Sequence, residues 1–475
     1  MSGRRPTILW LRRDLRLGDH PALTAAVARG GPVIAVFIHD EHVAALGAAA
    51  KWRLGLSLDH FDKVLRERGS RLVLRRGSAL DVLRALVAET GADAVMWSRL
   101  HDPGSVTRDK DVKSALKDDG LQVSSHPGHL LFEPWTVATG EGGYYRVYTP
   151  FWRAVRGRDV TAPLPAPGRL PVPARWPQNE TLDDWHMGAD MHRGAAICGA
   201  YQRVGETAAE ARLDWFAAQA IDDYATARNR PDMDGCSGLS ENLTYGEISP
   251  RRCWHAGLRA QARDAAGADA WLSELGWRDF AWHLIWHTPH ITERSWRKGW
   301  ERFPWRSAED NAELRAWCRG RTGVPFVDAA MREMYVTGRM HNRGRMIVAS
   351  YLTKHLMTHW RHGMDWFADC LTDWDPASNA MGWQWAAGSG PDAAPYFRIF
   401  NPDTQAQKFD PEGTYRRRWI AEGQRHPPDT ALSYFRAVPR GWGLDPTTAA
   451  AYPDPVVPLG EGRARALAAY QARDF

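Results

Sequence analysis

Apolar and polar positions change rhythm twice along this chain. Over roughly the first 130 residues, short apolar runs (TILWL, VIAVFIHD, RLVLRR, DAVMWS and LQVSS) alternate with four segments whose apolar residues recur three and four apart. The runs read as strands and the periodic segments as helices. Strict alternation of this kind predicts a small doubly wound α/β domain, with a parallel sheet and right-handed crossovers. Ligands in such sheets lie beyond the carboxyl ends of the strands, so Leu11 to Asp14, Phe37 to Asp40 and Trp97 to Pro103 are the expected site edges. No GxGxxG follows the first strand, which argues against an ordinary dinucleotide site there.

From about 131 to 204 the pattern fails. Pro163, Pro165, Pro167, Pro171, Pro173 and Pro177 crowd one stretch, and their spacing resists both helix and central strand. A long, mostly extended connection is expected. After Gly205 the sequence becomes persistently helical through ETAAEARLDWFAAQAIDDYATAR, SPRRCWHAGLRAQARDA and DAWLSELGWRDFAWHLIW. Ser249 followed by Pro250 reads as an N-cap with proline at the first helical position. The expected organisation is thus an α/β domain over 1–130, a linker over 131–204 and an all-helical domain over 205–475.

Length agrees with that division, since 475 residues exceed one ordinary core. With 44% hydrophobic and 25% charged residues the composition is that of a soluble globular protein. No apolar run is long enough for a membrane span, and MSGRRPTILWLRRD lacks a cleavage site, so a cytoplasmic protein is expected. Cys198, Cys236, Cys253, Cys318 and Cys370 are odd in number and form no CxxC pair, which fits free thiols better than disulfides or zinc. A net charge of +5 permits a polyanionic partner without requiring one. The unusual count is 24 Trp against 14 Phe and 13 Tyr. Indoles in that excess suggest stacking on flat ligands, electron transfer, or both.

Candidate chemistry concentrates in a few stretches. In GCSGLSENLTYGEISPR, Ser237, Gly238, Leu239 and Ser240 precede a helix start, where hydroxyls and unpaired N–H groups would suit a phosphate; the plainer reading is a cap. Glu274, Trp277 and Arg278 share one helical face, with either a ligand-facing carboxylate in a low-dielectric pocket or a Glu274–Arg278 surface pair as the outcome. His283 and His287 have metal-ligand spacing, but no further ligand completes a zinc motif, so they read as structural. GRMHNRGRM opens a long helix with Ile347, Val348, Tyr351, Leu352 and Leu356 as its buried stripe. Asn342 and Met346 share one face of it and Arg345 another, and the Arg345 guanidinium is expected to find Asp373 or Asp375. Trp383 and Trp385, two apart in GWQWAAGSG, would diverge on a helix; two core tryptophans are the bland alternative.

Together these stretches give the chain a resemblance to the cryptochrome/photolyase family, and most to its bacterial class I cyclobutane pyrimidine dimer photolyases. The likeness starts at LRRDLRLGDHPAL, passes through LSENLTYGEISPR and ELGWRDF, and is densest from GRTGVPFVDAAMREM to YFRIFNP and KFDPEGTYRRRW. It implies an α/β antenna domain, a linker and a helical domain holding FAD. Under it, Tyr224, Ser237, Gly238, Leu239, Ser240, Trp271, Asn342, Arg345, Asp373 and Asp375 are expected at FAD, with Arg345 paired to Asp373 and Asn379 beside flavin N5. Trp383, Trp360 and Trp305 match the indole chain that carries electrons to the flavin. Arg228, Glu274, Trp277, Asn342, Arg343, Met346 and Trp385 match positions that hold damaged DNA flipped out of the duplex.

The implied activity is light-driven, redox-neutral splitting of pyrimidine dimers, with Glu274 and Asn379 assisting, in a monomer with no membrane partner. Two departures stand out. Arg339 occupies a position that is usually Trp, and Gly104 and Ser105 replace the Asn-Glu pair with which some relatives bind a folate. A deazaflavin antenna is therefore expected in preference to a folate. The rival readings are a cryptochrome photoreceptor without repair and a (6-4) photolyase, for which histidines are expected where Asn342 and Met346 stand.

Overall fold

A computed structural model describes residues 4–307, 311–445 and 451–475. Five parallel strands, β1 (Thr7–Leu11), β2 (Val33–His39), β3 (Leu72–Arg76), β4 (Ala94–Ser98) and β5 (Gln122–His126), form one sheet in the order β3-β2-β1-β4-β5. They are the five runs expected. Both faces of the sheet are covered, so its central strands are mostly apolar, and β1 is buried along its whole length. Helices α1 (Pro21–Ala28) and α2 (Ala48–Glu67) help cover one face, α3 (Ala79–Thr90) and α4 (Pro103–Asp118) the other.

The stretch expected to be extended contains helix α5 (Tyr148–Val155). Tyr148, Phe151 and Val155 are its buried residues, a three-and-four spacing that survives beside the prolines because all six of these lie C-terminal to it. Beyond it come α6 (Glu206–Gln219), the single turn α7 (Ser240–Thr244), α8 (Pro250–Gln261) and α9 (Ala268–His287). The stretch from Glu206, expected to be helical, forms a helix to Gln219 and then a short turn at Tyr224–Ala227. Ser249 caps α8 as expected, its hydroxyl accepting from the Arg252 N–H at 3.0 Å.

The core of the helical half is built by α10 (Pro325–Thr337), α11 (Asn342–Ser350), α12 (Trp360–Cys370) and α13 (Pro376–Ala387), and α14 (Leu459–Gln471) closes the chain. The long helix expected after GRMHNRGRM is interrupted. After Ser350 the backbone widens to a π-turn over Tyr351–His355, while Ile347, Val348, Tyr351, Leu352 and Leu356 remain fully buried. The two halves are tied by buried charge: Arg53 of α2 donates to both oxygens of Glu247 at 3.1 and 2.8 Å, and Ser57 donates to the same carboxylate at 2.7 Å. All five cysteines are free, and among the described residues no helix is long and apolar enough to cross a membrane.

Candidate functional site

The helical half encloses a cavity of about 910 Å³. That is the size of a cofactor site. Tyr224 and the loop Ser237 to Ser240 line one side, and Trp271, Glu274 and Trp277 of α9 another. Asn342, Arg345 and Met346 project from α11, and Asp373, Asp375, Asn379, Trp383 and Trp385 come from α13 and the residues before it. Arg228 completes the set. Of the residues expected at the flavin, the DNA or the electron path, Arg343, Trp360 and Trp305 are not among those lining it.

Local capping explains how α13 presents its residues. Asp375 is the N-cap: Oδ1 accepts from the Ser378 N–H at 2.7 Å, Oδ2 accepts from the Trp282 indole at 3.1 Å, and Pro376 fills the first helical position. With its oxygens so engaged, Asp375 is not the partner of Arg345. Asp373 is, receiving Arg345 Nη2 at 3.0 and 2.7 Å, while Arg345 Nε donates to the Met340 carbonyl at 2.9 Å. One turn into α13, Asn379 donates Nδ2 to the Asp375 carbonyl at 3.0 Å. That bond fixes the amide so that its oxygen points the other way.

Of the two readings of Glu274, the surface pair with Arg278 is absent. Glu274 pairs instead with Arg228, and Arg278 donates to the His129 carbonyl at 2.8 Å. Spacing within one helix favours the i,i+4 partner, but Arg228 approaches from a separate turn and takes the carboxylate at the cavity surface. Trp277 stacks on Tyr148 of α5 with centroids 3.6 Å apart and planes 12° from parallel. One face of the indole is thereby occupied, and the ring still lines the cavity. Arg343 turns away, donating to Asn229 and lying over the Phe409 ring at 4.2 Å.

Trp383 is buried and meets Phe367 edge-on at 4.9 Å. Its ring rests on Gly363, one turn beyond Trp360 in α12: a Cβ there would fall 2.1 Å from the indole. Trp360 is fully buried and donates its indole N–H to Ser295 at 3.2 Å. His359 then bridges Trp360, at 5.3 Å, to the half-buried Trp305, at 5.5 Å. His359 thus lies between Trp360 and Trp305, and Trp383 packs on the helix that carries Trp360.

Burial sets the protonation states around the cavity. His341 is pushed down to about 4 by burial and by Arg343, Arg345 and Arg228; its neutral Nδ1 caps α11 by accepting from the Arg343 N–H at 3.1 Å. Burial pushes Glu333 up to about 7, although it accepts from Tyr415 at 2.5 Å. Burial and the neighbouring Glu274 raise the Tyr224 phenol. His283 and His287 prove structural: His283 accepts from the Tyr145 N–H at 3.1 Å, and His287 stacks on Tyr144 at 4.9 Å. Among the described residues the metal-competent cluster is Asp40, Glu41 and His42, and Asp40 there is paired with Arg108.

Sequence reasoning missed Tyr148, Arg203, Arg212 and Glu333. Only Arg339 carried a signal, as a departure from the usual residue. It makes an ion pair with the buried Glu241, whose other oxygen accepts from Thr372. A guanidinium therefore replaces ring packing at that point by answering a carboxylate of zero exposure.

The cavity suits a dinucleotide cofactor such as FAD. Gly382, exposed on the wall beside Trp383, leaves open space where any Cβ would project, and guanidiniums gather at the Gly238 end. Comparison with known proteins agrees. Residues 271–472 match the FAD binding domain of DNA photolyase, and residues 7–168 the DNA photolyase domain. The deoxyribodipyrimidine photo-lyase of Agrobacterium fabrum is 45% identical over 98% of both chains, and that of Escherichia coli 34% identical over 98% of both. A solved bacterial class III photolyase from Agrobacterium tumefaciens superposes with a TM-score of 0.91 at 44% identity, covering 99% of this chain and 98% of that one. A Synechocystis cryptochrome superposes at 0.83 with 28% identity, over 98% of this chain and all (100%) of the other.

Proposed function

This chain belongs to the photolyase/cryptochrome family, and from that premise we propose that it is a light-dependent photolyase that restores cyclobutane pyrimidine dimers in DNA. One observation carries the reading: a single cavity is lined by Asn379 and the Arg345–Asp373 pair and also by Glu274, Trp277 and Trp385. A cofactor and a flipped lesion can therefore meet without crossing protein. When bound in its reduced form, FAD would supply light-driven one-electron chemistry for splitting the dimer, with no net oxidation.

The protein's part is positioning and charge. Trp277, backed by Tyr148, offers its free face to the extruded bases, and Trp385 closes the other side. A damaged step costs less to unstack, which helps select the lesion. Glu274, held by Arg228, accepts a hydrogen bond from a base edge and steadies the charge that develops there. The Asn379 oxygen, turned from the Asp375 carbonyl, is an acceptor for a ring N–H of the cofactor. Trp383, Trp360 and Trp305 deliver electrons from outside when the flavin is oxidised. Arg228 and Arg343 meet phosphates, which makes binding salt-sensitive.

Within the family, likeness to the class III photolyase of Agrobacterium tumefaciens supports class III where sequence motifs suggested class I. For a second chromophore, Gly104 and Ser105 at the start of α4 keep deazaflavin as the expectation. Acid extraction and chromatography decide it, and recovery of a folate overturns it. For the activity, oligonucleotides carrying a cyclobutane dimer or a (6-4) product are exposed separately to the reduced protein and blue light. Thymine restoration from the cyclobutane dimer alone is the expected result. None from it, with an ordinary flavin spectrum, contradicts the proposal and favours a photoreceptor.

A further inference from the structure

Three guanidiniums crowd the Gly238 end of the cavity with too little negative charge among them. Gly238 has φ +63°, and the point where its Cβ would sit is 3.2 Å from Arg203 Nη1 and 3.5 Å from Arg212 Nε. Arg212 is answered: it pairs with Asp234 and donates to the carbonyls of Cys236 and Ser237, both at 2.7 Å. Arg339 is answered by Glu241. Arg203 is half-buried, lines the cavity, and its side chain has no ion pair or hydrogen bond among the described residues.

Its backbone is nonetheless fixed. The Arg203 carbonyl accepts from Arg53 at 3.0 Å and from Asn242 at 2.9 Å, both members of the buried network around Glu247. Burial together with the charges of Arg339 and Arg212 lowers the Arg203 pKa, the mark of a cation held where it is repelled. A helix dipole is not what serves this end of the cavity, because α7 is only five residues long. The side chains must provide the positive charge.

We propose that Arg203 and Arg339 clasp the diphosphate of the bound dinucleotide at the Gly238 end of the cavity, where the missing side chain lets the Arg203 and Arg212 guanidiniums approach the backbone. An anion of two charges would answer Arg203 and relieve its repulsion with its two neighbours, and guanidinium forks suit phosphate oxygens. Arg53 and Asn242 act as positioning residues, holding the Arg203 backbone from beneath.

The proposal rests on the cavity being the FAD site, and the test separates the two. Purified holoprotein and the variants Arg203→Gln, Arg339→Gln and Arg203→Lys are compared for the rate of FAD release on dilution and for the 31P resonances of the bound cofactor. Each glutamine variant is expected to release FAD about tenfold faster, as the loss of one charge-assisted contact implies, and to shift the 31P signals. Arg203→Lys, which keeps the charge without the fork, is expected to fall between. Should a glutamine variant fail to fold, the lysine variant decides by the same two readouts. Wild-type release rates and unmoved 31P signals in folded variants overturn the clasp and leave the FAD site standing. Wild-type protein that cannot be loaded with FAD overturns both.

Discussion

Gly363→Ala probes whether Trp383 is held where an electron relay needs it. The methyl group would lie 2.1 Å from Trp383 Cη2, 2.4 Å from Cζ3 and 2.7 Å from Leu352 Cδ2, whereas ordinary contact begins at 3.4 Å. The indole would have to retreat by more than about 1 Å against an interior packed near crystal density. On the protein side retreat is blocked, since Phe367 stands at 4.9 Å and Trp317 at 6.0 Å, so the indole can yield only into the cavity it lines. Helix propensity favours alanine by about 1 kcal/mol, while overpacking costs about 1–3 kcal/mol and more where relaxation is blocked. The clash dominates, so a net loss of about 2 kcal/mol is expected, together with slower photoreduction of the oxidised flavin. Thermal unfolding and the rate of flavin reduction under blue light with an external thiol measure the two effects. A variant more stable than wild type with unchanged photoreduction would refute the idea that Gly363 seats the relay.

Three further outcomes follow from the same geometry. Glu274→Gln should leave FAD content unchanged and lower single-turnover repair by about tenfold, because the developing charge loses a preorganised partner; unaltered repair would count against its role. Gly382→Val places a side chain in open cavity, so FAD incorporation should drop severalfold while the apoprotein still folds; equal FAD content would mean that the cofactor lies elsewhere. His341, depressed to about 4, stays neutral when folded although it would protonate near 6.5 unfolded, so its contribution is full above that value and is lost as pH falls toward 4. His341→Asn keeps a capping acceptor without the titration, and should reduce the acid loss between pH 7 and pH 5 by about 2 kcal/mol in denaturation experiments, with no change contradicting the assignment.

What could be read from the sequence followed from local physics. Strands buried on both faces show as unbroken apolar runs, and Ser249 with Pro250 is a cap that needs no tertiary context. Residue type alone matched Arg345 to two carboxylates, and the family resemblance pointed to Asp373; the physical reason is that Asp375 spends its oxygens on the α13 cap and on Trp282. The bland Glu274–Arg278 pair does not form because helical spacing sees only its own helix, and the Glu274 partner Arg228 is 46 positions away. The π-turn at Tyr351–His355 escaped notice because one extra residue per turn barely disturbs a stripe that is buried throughout. Arg203 gave no signal at all. A lone arginine at the end of a connection becomes notable only when folding sets two others beside it.

The central claim is that one cavity brings cofactor and lesion together. Its most direct measurement is the fluorescence lifetime of the bound reduced flavin at saturating DNA. The account predicts that an oligonucleotide with a cyclobutane dimer shortens the lifetime and that the undamaged oligonucleotide leaves it unchanged. A lifetime indifferent to the dimer would contradict it.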